Sequence, residues 1–126
     1  MKFEIKGQVR GGKNNLKITR TGHRYPDPGF VAWSGLAAIQ IKAQMYQYRD
    51  LMLNPISTAK DWAWSFDYTP SDNHRRDATA VLDAVFHVLE QCHVVTDDRW
   101  IANLNFVTRQ PDKANAGIII DITRRI

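Results

Sequence analysis

Cysteine occurs once, at Cys92, so no disulfide can staple the chain internally, and no Cys/His spacing suits a zinc site. No apolar run approaches the ~20 residues that cross a bilayer as a helix. Met1-Lys2-Phe3-Glu4-Ile5-Lys6 alternates polar and apolar residues and lacks the apolar core of a secretory leader. With a single thiol on the apolar face of an expected helix, this gives the expectation of a packed, unreactive Cys92 and a reducing, cytoplasmic setting. Gly7 to Lys13 has the GxxxxGK spacing of a phosphate-binding loop. Asn14, however, stands where a Ser or Thr would hold Mg²⁺, and a strand pattern follows where a helix should open. A nucleotide cofactor is therefore not expected.

Acid is scarce at the amino-terminal end. Lys2, Lys6, Arg10, Lys13, Lys17, Arg20 and Arg24 face only Glu4 before residue 25. The net charge of +4 is thus concentrated there, the footprint expected of a surface for nucleic acid, although a solvated basic face reads the same way. The 126 residues suffice for a single domain spanning 1–126, and 44% hydrophobic with 24% charged residues is an ordinary globular composition.

Along the chain, Phe3, Ile5, Gly7 and Val9 alternate, Gly11-Gly12 interrupts, and Leu16 to Thr19 alternates again, which predicts a basic hairpin with Lys13, Asn14 and Asn15 at its tip. His23 to Gly29 is rich in turn residues, and its Arg24 and Tyr25 suit a backbone phosphate or a splayed base. Ser34 is expected to cap a helix running to Met52, with Leu36, Ile39, Ala43 and Tyr46 as its core stripe. Trp62 to Tyr68 alternates strictly and reads as a strand with its aromatics on one face, packed under helices or across a subunit interface. A second helix, Val81 to Cys92, carries Asp83, His87 and Glu90 on its outer face. Asp83 and His87, four apart, are neighbours there and form a candidate ligand pair for a softer ion such as Mn²⁺, or simply a wetted surface. Trp100 to Val107 and Gly117 to Thr123 read as strands. The fold class expected is α+β: two helices on a mixed sheet, ordered strand, strand, helix, strand, helix, strand, strand.

The densest chemistry is Asn73-His74-Arg75-Arg76-Asp77, the helix after it, and Asp97-Asp98. Mg²⁺ takes one or two carboxylates and completes its shell with phosphate oxygens and water, while arginines hold phosphates by forked hydrogen bonds. By themselves these residues also describe a solvated, ion-paired turn.

Together, His74-Arg75-Arg76-Asp77, Val81 to Cys92 and Val94-Val95-Thr96-Asp97-Asp98 resemble the core of the RusA family of Holliday junction resolvases. Lys13-Asn14-Asn15 resembles that family's early Ser-Asn-Asn turn, Ser34 its helix-opening serine, and Gly117 to Ile122 its closing strand. The resemblance implies a homodimer, bacterial or phage-encoded, that cuts four-way or other branched DNA in recombination and repair with Mg²⁺ or Mn²⁺. Asp77 and Asp98 would hold the metal, with Asp97 supporting them from behind or standing in as an alternate ligand. Lys13, Asn14, Asn15, Lys17, Arg20, Arg24, Arg75 and Arg76 would meet the DNA. Three motif positions depart from the family: Thr79 replaces an Asp, Ala80 an Asn and Asp83 a Lys. Asp83 either supplies the missing carboxylate of a rearranged site, or the chain is an impaired relative that binds branched DNA without cleaving it.

Overall fold

The computed structural model describes residues 1–12, 17–74 and 76–125. Lys13, Asn14, Asn15 and Arg75 lie outside the described residues. Among those described, three helices pack on a four-stranded mixed sheet. The elements are β1 (Lys2–Lys6), β2 (Lys17–Ile18), β3 (Arg24–Tyr25), α1 (Pro28–Met45), α2 (Arg49–Leu53), β4 (Trp62–Thr69), α3 (Ala78–Gln91), β5 (Leu104–Thr108) and β6 (Gly117–Arg124). The sheet order is β1-β6-β4-β5, and β2 with β3 makes a separate two-stranded ribbon. β6 runs antiparallel to both β1 and β4, whereas β5 runs parallel to β4. The β4-α3-β5 connection is what makes the sheet mixed, since parallel neighbours need a crossover.

The alternation in β4 points as expected. Trp64, Phe66 and Tyr68 are buried, with the Trp64 and Phe66 rings stacked 6.2 Å apart, while Ser65 faces solvent. They meet Ile118, Ile120 and Ile122 of β6 in direct register, and Val81, Ala84, Val85, Val88 and Leu89 of α3 close the layer from above. Val94 accompanies the end of α3, where His93 adopts a left-handed conformation (φ 61°) and the N–H groups of His93 and Val94 donate back to the carbonyls of Glu90 and Leu89. That arrangement satisfies carbonyls a helix end would otherwise leave bare.

Three expectations are corrected. The first helix is capped seven residues before Ser34, the expected cap: Asp27 takes that place, accepting from the Phe30 N–H (3.1 Å), and Pro28 occupies the first turn. Ser34 sits inside the helix, its hydroxyl donating to the Val31 carbonyl. The helix also breaks after Met45, and α2 is a separate short piece. The core stripe is on the other side as well. Phe30, Trp33, Ala37, Ile41 and Met45 are buried, whereas Leu36 (65% exposed), Ile39 (67%) and Tyr46 (74%) face outward and Ala43 is exposed. α1 is apolar nearly all round, so its periodicity names no single inner face. Finally, β1 does not pair with β2 in a hairpin. It pairs with β6 more than a hundred residues away, a long-range choice that local alternation does not carry.

α1 and Tyr48, in the turn after it, seal the outer edge of β1. Gln40 Oε1 accepts from the Lys6 N–H (2.8 Å), Gln44 bonds both the N–H and the carbonyl of Glu4 (2.7 Å each), and the Tyr48 hydroxyl bonds the N–H and carbonyl of Lys2. Four helical residues rise about 6.0 Å and two strand residues about 6.6 Å, so an i, i+4 row of side chains tracks alternate backbone groups of a strand.

Gly117 opens β6 at φ 151°, and a Cβ there would collide with the carbonyl oxygen of Ile5 and press on Lys6 Cα at 3.2 Å. Both are backbone atoms held in the β1–β6 ladder. Gly117→Ala is expected to cost about 3 kcal/mol or more, the range for a strained φ combined with overpacking, read as a drop in urea midpoint at unchanged slope.

Candidate nucleic-acid interface

β4 delivers the chain to Pro70, and the loop that follows is held to the residues after β1. The Ser71 N–H donates to Gln8 Oε1 (2.7 Å), and Gln8 Nε2 donates to the Tyr68 hydroxyl (2.6 Å). Asp72 then organises the basic run, accepting from the His74 N–H (3.0 Å) and from Arg76 Nη1 (2.8 Å). The Arg76 guanidinium, helped by the His74 N–H, holds the Asp72 carboxyl below its ordinary pKa, and the same contact raises that of Arg76. Arg76 is thus aimed by an acid that sequence reasoning did not pair with it, although Asp72 stands four residues before it.

Asp77 caps α3, its Oδ1 accepting from the Thr79 N–H (2.9 Å), and its side chain stays exposed. Beside it, Gly11 packs on Ala80, where a Cβ on the glycine would lie 3.5 Å from Ala80 Cβ. The small residue at 80 therefore gives the glycine loop its seat. At Gly12 (φ 105°) the backbone lies against the Asp27 side chain, and the Arg10 guanidinium lies over Gly29 together with Asp27 Oδ2. The starts of α1 and α3 thus meet at the loop Gln8 to Gly12. Between that loop and α3 is an open cleft of about 390 Å³ lined by Arg10, Gly11, Gly12, Arg76, Asp77 and Ala80, among others.

The ribbon β2–β3 leads into α1, since Asp27 follows β3 by two residues. Ile18, Arg20, Arg24 and Tyr25 are all exposed on it or at its turn. Of the expected DNA contacts, Arg76 lines the cleft with Asp77, and Arg10, one of the early cations, joins them, while Arg20 and Arg24 lie on the ribbon or at its turn. Lys17 lies on β2.

The other acids are elsewhere. Asp97 caps a 3-10 turn, Asp98–Trp100, accepting from the Arg99 N–H (2.9 Å), and Arg99 stacks on Trp100 at 4.6 Å. This turn follows the far end of α3, whose 14 residues extend about 21 Å. Because β4 and β5 are parallel, Asp97 and Asp98 precede the start of the strand pair while Asp77 follows its finish. Asp83 is exposed on α3, about 9 Å along the axis from Asp77 and about 120° round it. His87 meets the Phe30 ring edge-on at 5.4 Å. One chain consequently does not assemble the set Asp77, Asp83 and Asp98, and among the described residues no three Asp, Glu, His or Cys side chains converge on a possible metal position.

Two further features bound the chemistry. Burial pushes the Cys92 thiol up, and its Sγ lies 3.6 Å from the Ala38 carbonyl, as an inert packed thiol should. Among the described residues, no helix is long and apolar enough to cross a membrane. Neither a protein-family model nor a curated protein matches this sequence.

Asp67 and Arg109 form a two-pronged pair at 2.9 and 2.8 Å across the end of β4 and β5. The Arg109 hydrogen bonds lower the Asp67 pKa against a smaller opposing effect of burial. A depressed folded-state pKa stabilises above the unfolded value, about 3.9, and that contribution disappears as pH falls through the folded value. Asp67→Asn is expected to lower the melting temperature only slightly at pH 7, because solvent screens so exposed a pair. The gap to wild type should close below about pH 4.

Proposed function

We propose that the protein is a homodimeric, metal-dependent endonuclease of branched DNA, four-way junctions included, acting in recombination and repair. The observation that carries this reading is the exposed Asp77 at the strand-to-helix junction, with Arg10 and Arg76 lining the same cleft and Arg20 and Arg24 exposed on the ribbon that leads into α1. Crevices beyond the carboxyl ends of strands are where α/β sheets build sites. Guanidinium groups there would engage phosphate oxygens by charge-assisted bonds and hold the backbone against Asp77. The resemblance to RusA resolvases points to the same residues.

The separation of Asp77 from Asp97 and Asp98 within one chain decides what the reading requires. In this reading the second carboxylate of the family pair, Asp98, comes to Asp77 from a second copy. Mg²⁺ or Mn²⁺ between Asp77 and the partner's Asp98 would supply an activated water and neutralise charge on the scissile phosphate. Asp83 has no place beside Asp77 in this arrangement. Binding without cleavage is the alternative that one observation favours: Asp77 already serves as a helix cap through the Thr79 N–H. Incubating labelled four-way junctions and linear duplex with Mg²⁺ or Mn²⁺ separates the readings. Nicks near the branch support the nuclease, tight junction binding without nicks supports the binder, and equal weak affinity for both DNAs contradicts both.

A further inference from the structure

The helix-covered face of the sheet is left open at one end. Trp64 and Ile122, opposed on β4 and β6, are buried, but in the next opposed pair Trp62 is half-buried and Arg124 exposed. A cavity of about 710 Å³ opens there, lined by the buried Leu51 and Ile122 and by Trp62, Arg124, Asp50 and Asn54, among others. That size falls among small-molecule sites. The eight residues of β4 put about 23 Å between Trp62 and Thr69, so this cavity is separate from the cleft at Asp77. Its strand backbone is fixed: Asn103 Nδ2 donates to the Trp62 carbonyl (3.4 Å) and the Arg125 N–H to the Asp61 carbonyl (2.8 Å). Its polar side chains are not engaged. The Asp50 carboxylate, the Asn54 amide and the Arg124 guanidinium hold no hydrogen bond or ion pair among the described residues. Arg124 instead lies over the Trp62 ring, 4.9 Å from its centroid, which shows that this face of the indole is not packed into the core.

We propose that the cavity binds a guanine nucleotide, with the base stacked on Trp62, its polar edge on Asp50 and Asn54, and its phosphate on Arg124. An indole face takes any base, so the edge decides which. An ionised carboxylate only accepts hydrogen bonds. Guanine alone presents two adjacent donors, N1–H and N2–H₂, which the two oxygens of Asp50 accept together while the Asn54 amide donates to O6. Adenine and cytosine set a ring acceptor beside their amino group, and its lone pair would face the carboxylate. Arg124 leaves the ring as the base arrives, because an exposed cation–π contact is weak and a phosphate offers a charge-assisted fork instead. Leu51 and Ile122 supply the apolar contact that such sites need beside their few polar groups. The absence of a nucleotide expected from the sequence concerned the loop after β1, at the opposite end of the sheet, and does not bear on this cavity. The site stands whether or not the protein cuts DNA. A free mononucleotide and an unpaired guanine in a DNA strand carry the same base and phosphate.

Calorimetric titration of the full chain with guanosine 5′-monophosphate should give one site per chain with submillimolar affinity. Adenosine 5′-monophosphate should bind roughly tenfold more weakly or worse, as a lost two-pronged base contact requires. Asp50→Asn should erase that preference, Arg124→Gln should bring the guanine nucleotide down to the affinity of guanosine, and Arg76→Gln, in the other cleft, should change neither. Trp62→Leu should weaken every nucleotide; if it fails to fold, the exposed Asp50 and Arg124 variants decide. No binding of guanosine 5′-monophosphate at millimolar concentration, equal affinity for the adenine nucleotide, or a preference that survives Asp50→Asn overturns the proposal. So does loss of binding with Arg76→Gln, which would put the nucleotide in the Asp77 cleft. A short oligothymidylate carrying one dG separates the two sources. Binding tighter than that of the mononucleotide, and tighter than that of the same oligomer with dA, supports the site as one for unpaired DNA bases, whereas tighter binding of the mononucleotide supports it as one for the free nucleotide.

Discussion

Asp77→Asn is expected to abolish junction cleavage, by a thousandfold or more, while leaving the fold as stable as before. Asn caps helices as well as Asp does, so the bond to the Thr79 N–H survives. What goes is the negative charge, and a hard divalent ion held by two carboxylates does not tolerate losing one. Melting temperature and junction affinity in EDTA should match wild type, which separates chemistry from folding. Asp83→Ala, by contrast, should cut at a rate within about twofold of wild type, because its side chain projects from another sector of α3, about 9 Å further along. A cleaving protein that loses all activity with Asp83→Ala would restore Asp83 to the site and contradict the arrangement drawn from Asp77 and the partner's Asp98. A binder in which wild type never cuts would make both substitutions silent.

The second large effect is on salt dependence. With on the order of six phosphates neutralised, the slope of log affinity against log salt should be about −5, so raising salt from about 50 to 200 mM should weaken binding roughly a thousandfold. Arg20 and Arg24 lie exposed on the ribbon or at its turn and hold no structural ion pair among the described residues. Replacing both with Ala should flatten the slope by about two and leave stability within about 0.5 kcal/mol. Titration of a fluorescent junction at several salt concentrations measures it. An unchanged slope would move the DNA surface off the ribbon.

How much of this was legible in the residues depends on the range of the interaction. Trp62 to Tyr68 reads correctly because a half-buried strand announces itself in period two, and its inner face is the aromatic one. α3 is legible for the same reason in period 3.6. α1 is not: with apolar side chains on both sides, Leu36, Ile39 and Tyr46 look as much like core as Phe30, Trp33 and Ile41, and only the sheet beneath picks between them. The pairing of β1 with β6 and the seal from Gln40, Gln44 and Tyr48 join residues far apart in the chain, which alternation cannot express. At the site, Asp77 and the arginines were visible as a motif, and Asp72 four residues before Arg76 was an available signal that went unused. That Asp77 and Asp98 stand at opposite ends of a 14-residue helix follows from the parallel course of β4 and β5. Spacing in the sequence holds no trace of it.

The measurement that bears most directly on the two-copy site is complementation between two inactive proteins. Asp77→Asn and Asp98→Asn, each unable to cut alone, are mixed, dissociated in mild denaturant and refolded together before assay on a four-way junction with Mg²⁺. If Asp77 of one copy works with Asp98 of the other, each mixed dimer contains one intact pair, and nicking should return to about a quarter of the wild-type rate, since half of the dimers are mixed and each has one of two sites. No recovery, with mixed dimers demonstrated by a mass tag on one partner, would contradict it.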